Sequence, residues 1–403
     1  MSSRLRRVLG EERFLPWADR NLQNMSGSAG QQIALILSGG GARAAYQVGV
    51  LKAVADIISN GSENPFPILC GNSAGCINAA ALAAAAPDFK AGVARLVGVW
   101  SEFEIEQVFC ADVWSAASRG SQLILAMLTG GAGNAGPRSL LDNTPLRNLL
   151  LKHIPFGKID QAVDSGDLRA LCVTACSYTT GCSVSYYRGA ADLPPWSRAR
   201  RLGMRTSINI DHLMASSAIP IVFPAVAIGG EYFGDGSMRQ TSPISPALHL
   251  GAAKVLIIGV RQEAPQAPAT ESAPGYPGMG QIAGYILDTL FLNSLNADIE
   301  RLQRINQTLK LVPDDARKRI DLRPIETFII SPSQDIGAIA EPHMDLMPSA
   351  VQYLMRVIGA RRGGGKRLLS YLLFHGTFCQ ELIDLGFKDT MRRKDALQEF
   401  LIA

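Results

Sequence analysis

The chain has 403 residues, 47% hydrophobic and 18% charged, a composition that suits a globular core and excludes wholesale disorder. Lys and Arg number 39 against 35 Asp and Glu, so the net charge is +4, too balanced to point to a nucleic-acid-binding surface. Seven cysteines, with no pair at CxxC spacing, form neither a disulfide framework nor a zinc ribbon and read as small buried hydrophobes in a reducing compartment.

Residues 1–30 are polar and aperiodic and read as an N-terminal arm. Glu11, Glu12, Asp19 and Arg20 stand where a secretory apolar region would lie, and no run of about 18 apolar residues follows. The expectation is a cytoplasmic protein whose contact with membranes is at most peripheral. Order begins at Ile33-Ala34-Leu35-Ile36-Leu37, a short apolar strand ended by Ser38-Gly39-Gly40-Gly41. A helix is predicted over residues 42–58, with Tyr46, Val50, Val54 and Ile57 at three- and four-residue steps. A second strand (residues 66–70), a turn (Gly71-Asn72-Ser73-Ala74-Gly75) and a helix through Ala86 repeat the pattern. Two successive units of strand, glycine turn and helix predict an α/β fold with a mainly parallel sheet buried on both faces.

Residues 101–140 are less regular. Leu123-Ile124-Leu125-Ala126-Met127-Leu128 suits a buried helix, or else a lid or membrane-docking helix, and residues 130–137 read as a glycine-rich loop. Further strands are predicted at residues 170–175, 182–187 and 255–260. Between Leu193 and Asp211 there is no acid, and Trp196-Ser197-Arg198-Ala199-Arg200-Arg201 reads either as a solvated helix face or loop or as a contact for anionic headgroups. Residues 264–280 carry four prolines and read as a surface loop. Residues 281–311 and 355–403 read as helical; Arg361, Arg362, Lys366 and Arg367 beside Leu368, Leu369, Leu372 and Leu373 are amphipathic enough for a surface helix, though core packing of the leucines with solvated charge is the better reading. The expected organisation is an arm at 1–30, a catalytic domain at 31–250, a last core strand and Pro-rich loop at 251–280, and a helical C-terminal extension at 281–403.

Gly71-Asn72-Ser73-Ala74-Gly75 fits G-x-S-x-G between a strand and a helix. A sharp turn there pushes the serine Oγ out of the chain, small flanking residues let backbone pass closely, and the helix N-terminus offers free N–H groups to a developing anion. Ser73 is therefore the candidate nucleophile. Gly39, Gly40, Gly41 and Ala42 form a concave turn whose N–H groups suit an oxyanion. The same loop fits the looser dinucleotide pattern Gly39-x-Gly41-x-x-Ala44, but the acid expected about 20 residues on is not in place. Asp235, in Gly234-Asp235-Gly236-Ser237, is ordinary turn chemistry on its own and a candidate base beside the other two motifs.

Together these stretches resemble the patatin-like phospholipase family. Leu37-Ser38-Gly39-Gly40-Gly41-Ala42-Arg43 is similar to its oxyanion loop, and Gly71 to Gly75 is similar to its nucleophile elbow. Ala215-Ser216-Ser217-Ala218-Ile219-Pro220 with Phe223-Pro224 resembles the stretch before its aspartate, and Asp235-Gly236 sits where its aspartate motif belongs. Two positions depart from its pattern, Ala44 in place of the last loop glycine and Ser237 in place of the Gly or Ala after Asp-Gly, and both are small. The tail with Gly337-Ala338-Ile339-Ala340, Met347-Pro348 and Leu369-Ser370-Tyr371-Leu372-Leu373-Phe374 resembles a bacterial branch of the family.

The resemblance implies a three-layer α/β/α sandwich and a lipid acyl hydrolase of phospholipase A, lysophospholipase or esterase type. It implies a Ser73–Asp235 dyad with no histidine, and neither metal nor organic cofactor. A histidine triad stays open, with five histidines scattered along the chain. An aspartate with its ordinary pKa of ~3.9 is a poor base for a hydroxyl, so Asp235 must be held close and desolvated to serve. The alternatives are a catalytically silent lipid-binding protein and a nucleotide-binding protein using the Gly39–Gly41 loop.

Overall fold

The computed structural model describes residues 32–58, 63–110, 139–262, 279–317, 319–320, 322–357 and 365–402. The arm at 1–30, the 123–128 segment, the 130–137 loop, most of the 264–280 segment and Arg361 and Arg362 lie outside the described residues.

The first half of the chain runs β1 (Ile33–Leu37), a 3-10 turn (Gly41–Ala44), α1 (Ala45–Ile57), β2 (Ile68–Asn72), α2 (Ala74–Ala83), α3 (Phe89–Ser101), α4 (Thr144–His153), α5 (Phe156–Ser165), β3 (Ala170–Ser177) and β4 (Ser183–Gly189). Then come β5 (Trp196–Arg198), β6 (Arg201–Arg205), α6 (Ile210–Ser216), β7 (Val226–Ile228), β8 (Glu231–Asp235), α7 (Ser245–His249), β9 (Lys254–Ile258), α8 (Met279–Leu311), α9 (Asp314–Arg317) and β10 (Glu326–Ile330). The last helices are α10 (Ile336–Ala340), α11 (Ser349–Val357), α12 (Gly365–Leu372), α13 (Gly376–Met391) and α14 (Lys394–Ile402).

The strands form one sheet in the order β10-β9-β1-β2-β3-β4-β6-β5, with β8 joined to β3 and β7 to β8. From β10 through β3 every pairing is parallel. Alternation along the central strands splits the core in two. Leu35, Leu37, Leu69, Leu171 and Val173 face one layer with α1, α2, α3 and α13, while Ala34, Ile36, Ile68, Cys70 and Cys172 face the other with Leu250, Ile299 and Leu302. Each large apolar side chain buried this way stabilises the fold by ~1.5–3 kcal/mol. The architecture is a mainly parallel α/β sheet with helices on both faces and a mostly helical C-terminal part.

The C-terminal part joins this core. β10 pairs with β9 in the same sheet, and α13 packs along α1. Gly49 of α1 faces the Ile383 carbonyl, and Gly386 of α13 faces the Tyr46 carbonyl. A Cβ at either position would collide with backbone, which is how the two helices come so close. Lys254 of β9, 3% exposed, donates to the Phe400 carbonyl at 3.2 Å and so ties α14 to the sheet.

The basic stretch at 196–205 is neither helix nor loop but an antiparallel hairpin, with Arg198 opposite Arg201 and Arg200 in the left-handed region at φ 58°. Trp196 stacks on Tyr187 and His249, which fixes the strand to the sheet edge. Arg205 is used internally, donating to the carbonyls of Ala190 at 2.8 Å and Ala191 at 3.1 Å.

Candidate active site

Strand β3 serves as the template of the site. β2 runs parallel to it and ends with Asn72 opposite Thr174. β8 runs antiparallel to it and ends with Asp235 opposite Ala175. The C-terminal ends of β2 and β8 therefore meet head on along one edge of β3, and Ser73 and Asp235 come together from residues far apart in the chain.

Ser73 is the N-cap of α2 and is held at φ 52°, ψ −136°, a strained conformation for a residue with a Cβ. Its N–H donates to Ser216 Oγ at 3.0 Å, and that hydroxyl donates to the Thr174 carbonyl at 2.6 Å. Its carbonyl accepts from the Cys76 N–H at 3.0 Å. Gly71, next to last in β2, lies against the Gly75 carbonyl and the Cys76 backbone, where no Cβ fits. Gly75 presses on the carbonyls of Leu37 and Ser38, where no Cβ fits, so α2 starts directly against the end of β1. Ser73 thus sits at the N-terminus of a ten-residue helix, where unpaired N–H groups favour negative charge.

Asp235 is 1% exposed. Its Oδ1 accepts from the Ser237 N–H at 2.9 Å as Gly236 opens a 3-10 turn. Burial pushes the carboxyl up to about 6, against the opposing pull of the Ser73 hydroxyl and of Ser237. Ser73 lies close enough to favour the carboxylate, yet the buried Oδ2 makes no hydrogen bond of ordinary geometry. Such bonds in active sites often become well aligned only with substrate bound. Asn72 Nδ2 donates to Ser237 Oγ at 2.8 Å and links the two turns.

The glycine loop follows β1. Gly39, Gly40, Gly41 and Ala42 are buried, Gly41 is left-handed at φ 55°, and the Arg43 N–H closes the turn on the Gly40 carbonyl at 3.1 Å. The leading N–H groups of such a turn have no partner within it. A chain of buried polar groups fixes the loop from behind. Trp100 Nε1 donates to Asn78 Oδ1 at 2.9 Å, Asn78 Nδ2 to Gln47 Oε1 at 3.0 Å, and Gln47 Nε2 to the Ser38 carbonyl at 2.7 Å. Ser38 Oγ donates to the Ile258 carbonyl at 3.0 Å.

A cavity of about 470 Å³ opens beside the pair, in the range of small-molecule sites. Gly41, Ser73, Ala74 and Ser217 line it together with apolar side chains that include Leu96, Val99, Leu146, Ile219, Phe223 and Phe374. Arg95, Glu102, Lys152 and His153 also line it. Among the described residues no histidine bonds to Ser73 or Asp235. His212 accepts from the Asn209 N–H through Nδ1, His249 stacks on Trp196, His343 pairs with Glu381, and His375 caps α13. Among the described residues no cluster of His, Cys, Asp or Glu is placed to hold a metal ion.

The structure brings Ser73, Asp235, Asn72, Ala74, Ser237 and the glycine loop together. The pattern did not reveal the support given by Ser216 to the Ser73 N–H, the Trp100–Asn78–Gln47 chain, or Phe374 in the cavity wall. Ser216 and Phe374 lie within stretches that carry the family resemblance, but the contacts themselves have no local signal, because each depends on pairing across the fold.

Fold and site together define an α/β protein whose serine elbow faces a buried aspartate beside an apolar cavity. Residues 35–248, more than half of the chain, match the model of the family Patatin, described as patatin-like phospholipase, and the chain belongs to that family. A relative from Pseudomonas aeruginosa (strain BWHPSA011 / Pa011), named cGAMP-activated phospholipase, is 26% identical over 216 residues, 53% of this chain and 55% of that protein. The match thus spans about half of the relative's length. The crystal structure of VipD from Legionella pneumophila aligns with 91% of this chain and 67% of its own at 12% identity and a TM-score of 0.34, too distant to carry an inference. Among the described residues no helix is long and apolar enough to cross a membrane.

Proposed function

We propose that the protein is a serine hydrolase of lipid esters, of phospholipase A, lysophospholipase or esterase type, working through a Ser73–Asp235 dyad. The observation that carries this reading is the meeting of the strained Ser73 elbow and the desolvated Asp235 along β3, beside an apolar cavity. The cavity wall suits an acyl chain, which needs burial and offers no hydrogen bonds.

In this reading Ser73 Oγ attacks the ester carbonyl carbon as Asp235 Oδ2 takes its proton. The carbonyl oxygen becomes an oxyanion that accepts from N–H groups of Gly39 to Ala42 and of Ala74. Collapse expels the alcohol, which takes the proton from Asp235, and leaves an acyl ester on Ser73. Water attacks that ester, Asp235 accepts the water proton, and Ser73 leaves with it as the acid departs. Burial suits Asp235 to the task, since a carboxyl near 6 is a stronger base than an ordinary one and is still mostly ionised at neutral pH. No step calls on a metal or an organic cofactor, and the substrate is reached by peripheral contact with a lipid surface.

The test is a panel of phospholipid, lysophospholipid, neutral glyceride and short p-nitrophenyl esters assayed with wild type and Ser73→Ala. Turnover that vanishes in Ser73→Ala supports the reading. A wild type inert on every ester, with lipid still bound, would support a silent lipid-binding protein instead.

A further inference from the structure

Helix α12 lies beyond the family match, yet it holds the glycine loop. Arg43, 4% exposed, donates from Nε to Ser370 Oγ at 2.8 Å and from Nη2 to the Arg367 carbonyl at 3.3 Å. Its guanidinium carbon lies 3.9 Å from the centroid of the Tyr371 ring. Ser370, fully buried, donates its own proton to the Arg367 carbonyl at 2.7 Å, which turns a lone pair toward Arg43. A planar guanidinium with donors in a fixed fork is set in both position and plane by a hydroxyl, a carbonyl and a ring. On the same helix, the Tyr371 carbonyl fills the space where a Cβ of Gly41 would stand.

These contacts bracket Ala42 on both sides. Gly41 is pressed from outside while left-handed at φ 55°, and Arg43 is anchored by its side chain while its N–H closes the turn on Gly40. Gly41 lines the cavity and Arg43 does not, so the guanidinium reaches the site through the backbone it holds rather than through its charge. We infer that Ser370 and Tyr371 are positioning residues for the oxyanion loop: α12, acting through Arg43 and Gly41, sets the geometry of the loop's N–H donors. The inference rests on the hydrolase reading above. Ser370 and Tyr371 thus act on the site through the backbone they hold, while Phe374, further along the chain, stands in the cavity wall itself.

The experiment measures kcat and KM on a short p-nitrophenyl ester, with Tm in parallel, for wild type, Ser73→Ala, Ser370→Ala, Arg43→Ala, Arg43→Lys and the Arg43→Ala/Ser370→Ala pair. Ser370→Ala removes one oxygen and should lower kcat by ~10- to ~100-fold, because small displacements of positioned groups cost that much. KM should stay within about twofold, as expected when only transition-state contacts weaken. Arg43→Ala should cost at least as much, Arg43→Lys should fall between it and wild type, and the double variant should match Arg43→Ala, since both changes break one contact. Unchanged kcat in Ser370→Ala, a loss confined to KM, or losses that multiply in the double variant would overturn the positioning role. If wild type is active and Ser73→Ala is dead, those results sink this inference alone. An inert wild type, or an active Ser73→Ala, overturns the hydrolase reading and this inference with it.

Discussion

Asn72 Nδ2 donates to Ser237 Oγ at 2.8 Å, so the residue before the elbow serine is bonded to the turn after the buried aspartate. Ser237 in turn donates its N–H to Asp235 Oδ1 at 2.9 Å. The side chains of the elbow and the aspartate turn are thus locked together in addition to their shared backbone pairing on β3. Asn72→Ala and Ser237→Ala should each lower kcat by about tenfold and stability by ~1–2 kcal/mol, the usual cost of a lost buried hydrogen bond. A double-mutant cycle read in both kcat and urea unfolding checks this: the double variant should be little worse than either single one. Full additivity would show that the two turns are independent.

The raised pKa of Asp235 predicts two pH effects. In the proposed dyad the base is the carboxylate, so kcat/KM should climb through an apparent pKa of about 6 and level off above it. Stability should move the other way. The folded state holds the Asp235 proton to higher pH than the unfolded state, so this contribution is complete below pH ~4 and is lost as pH rises through about 6. The shift from 3.8 to about 6 corresponds to roughly 3 kcal/mol. Asp235→Asn does not titrate. Relative to it, wild type should therefore lose about that much stability between pH 4 and pH 8, while the variant stays inactive throughout. Chemical denaturation of both proteins across that range measures the difference, and parallel stability curves would contradict the assignment.

A histidine triad predicts different results from a dyad. Burial and the neighbouring Arg198 and Arg201 push His249 down to about 4, so it is neutral where the enzyme would work. His153 shares the cavity with Ser73 and is the sharpest case. Changing His153, His249, His343 and His375 one at a time to Gln should leave at least half of kcat, and His153→Gln should alter KM at most. His212→Gln should lower Tm, because Nδ1 is the acceptor for the Asn209 N–H. One folded histidine variant as dead as Ser73→Ala would replace the dyad with a triad.

The buried chain behind the glycine loop predicts a stability effect. Asn78→Leu would leave Trp100 Nε1, Gln47 Oε1 and the Ala44 carbonyl without their partner. Unsatisfied buried groups cost ~1–3 kcal/mol each, so the loss in urea unfolding should be on the order of 3 kcal/mol or more. A loss below 1 kcal/mol would mean that the chain contributes nothing of its own.

Much of the site was legible because its signals are local. Strand, glycine turn and helix follow one another within residues 33–58 and again within 66–86, and the turn chemistry of Gly71 to Gly75 needs no distant partner to be recognised. Asp235 was legible only by its place in a motif. What brings it to Ser73 is that β8 takes up the edge of β3 just beyond the end of β2, a pairing that no periodicity announces. The same holds for β10, five residues at the far edge of the sheet, and for the basic 196–205 stretch, a hairpin whose Trp196 stacks on Tyr187 and His249. Arg43 and Ser370 are 327 positions apart and carry nothing in their surroundings that marks them as partners. Gly41 read as an oxyanion donor; the Tyr371 carbonyl against it means that a bulky substitution there breaks the α12 contact as well as the loop.

The central claim, that Ser73 is the nucleophile and Asp235 its base, is tested most directly by locating the covalent adduct. Wild type, Ser73→Ala and Asp235→Asn should each be treated with a fluorophosphonate probe and digested, and the modified peptides identified by mass spectrometry with the rate of labelling followed in time. The account predicts a single adduct on Ser73 in wild type, none in Ser73→Ala, and labelling slowed by at least about 10²-fold in Asp235→Asn at neutral pH, since general-base assistance of that size is lost. An adduct on another residue, or equal labelling in Asp235→Asn and wild type, would contradict it.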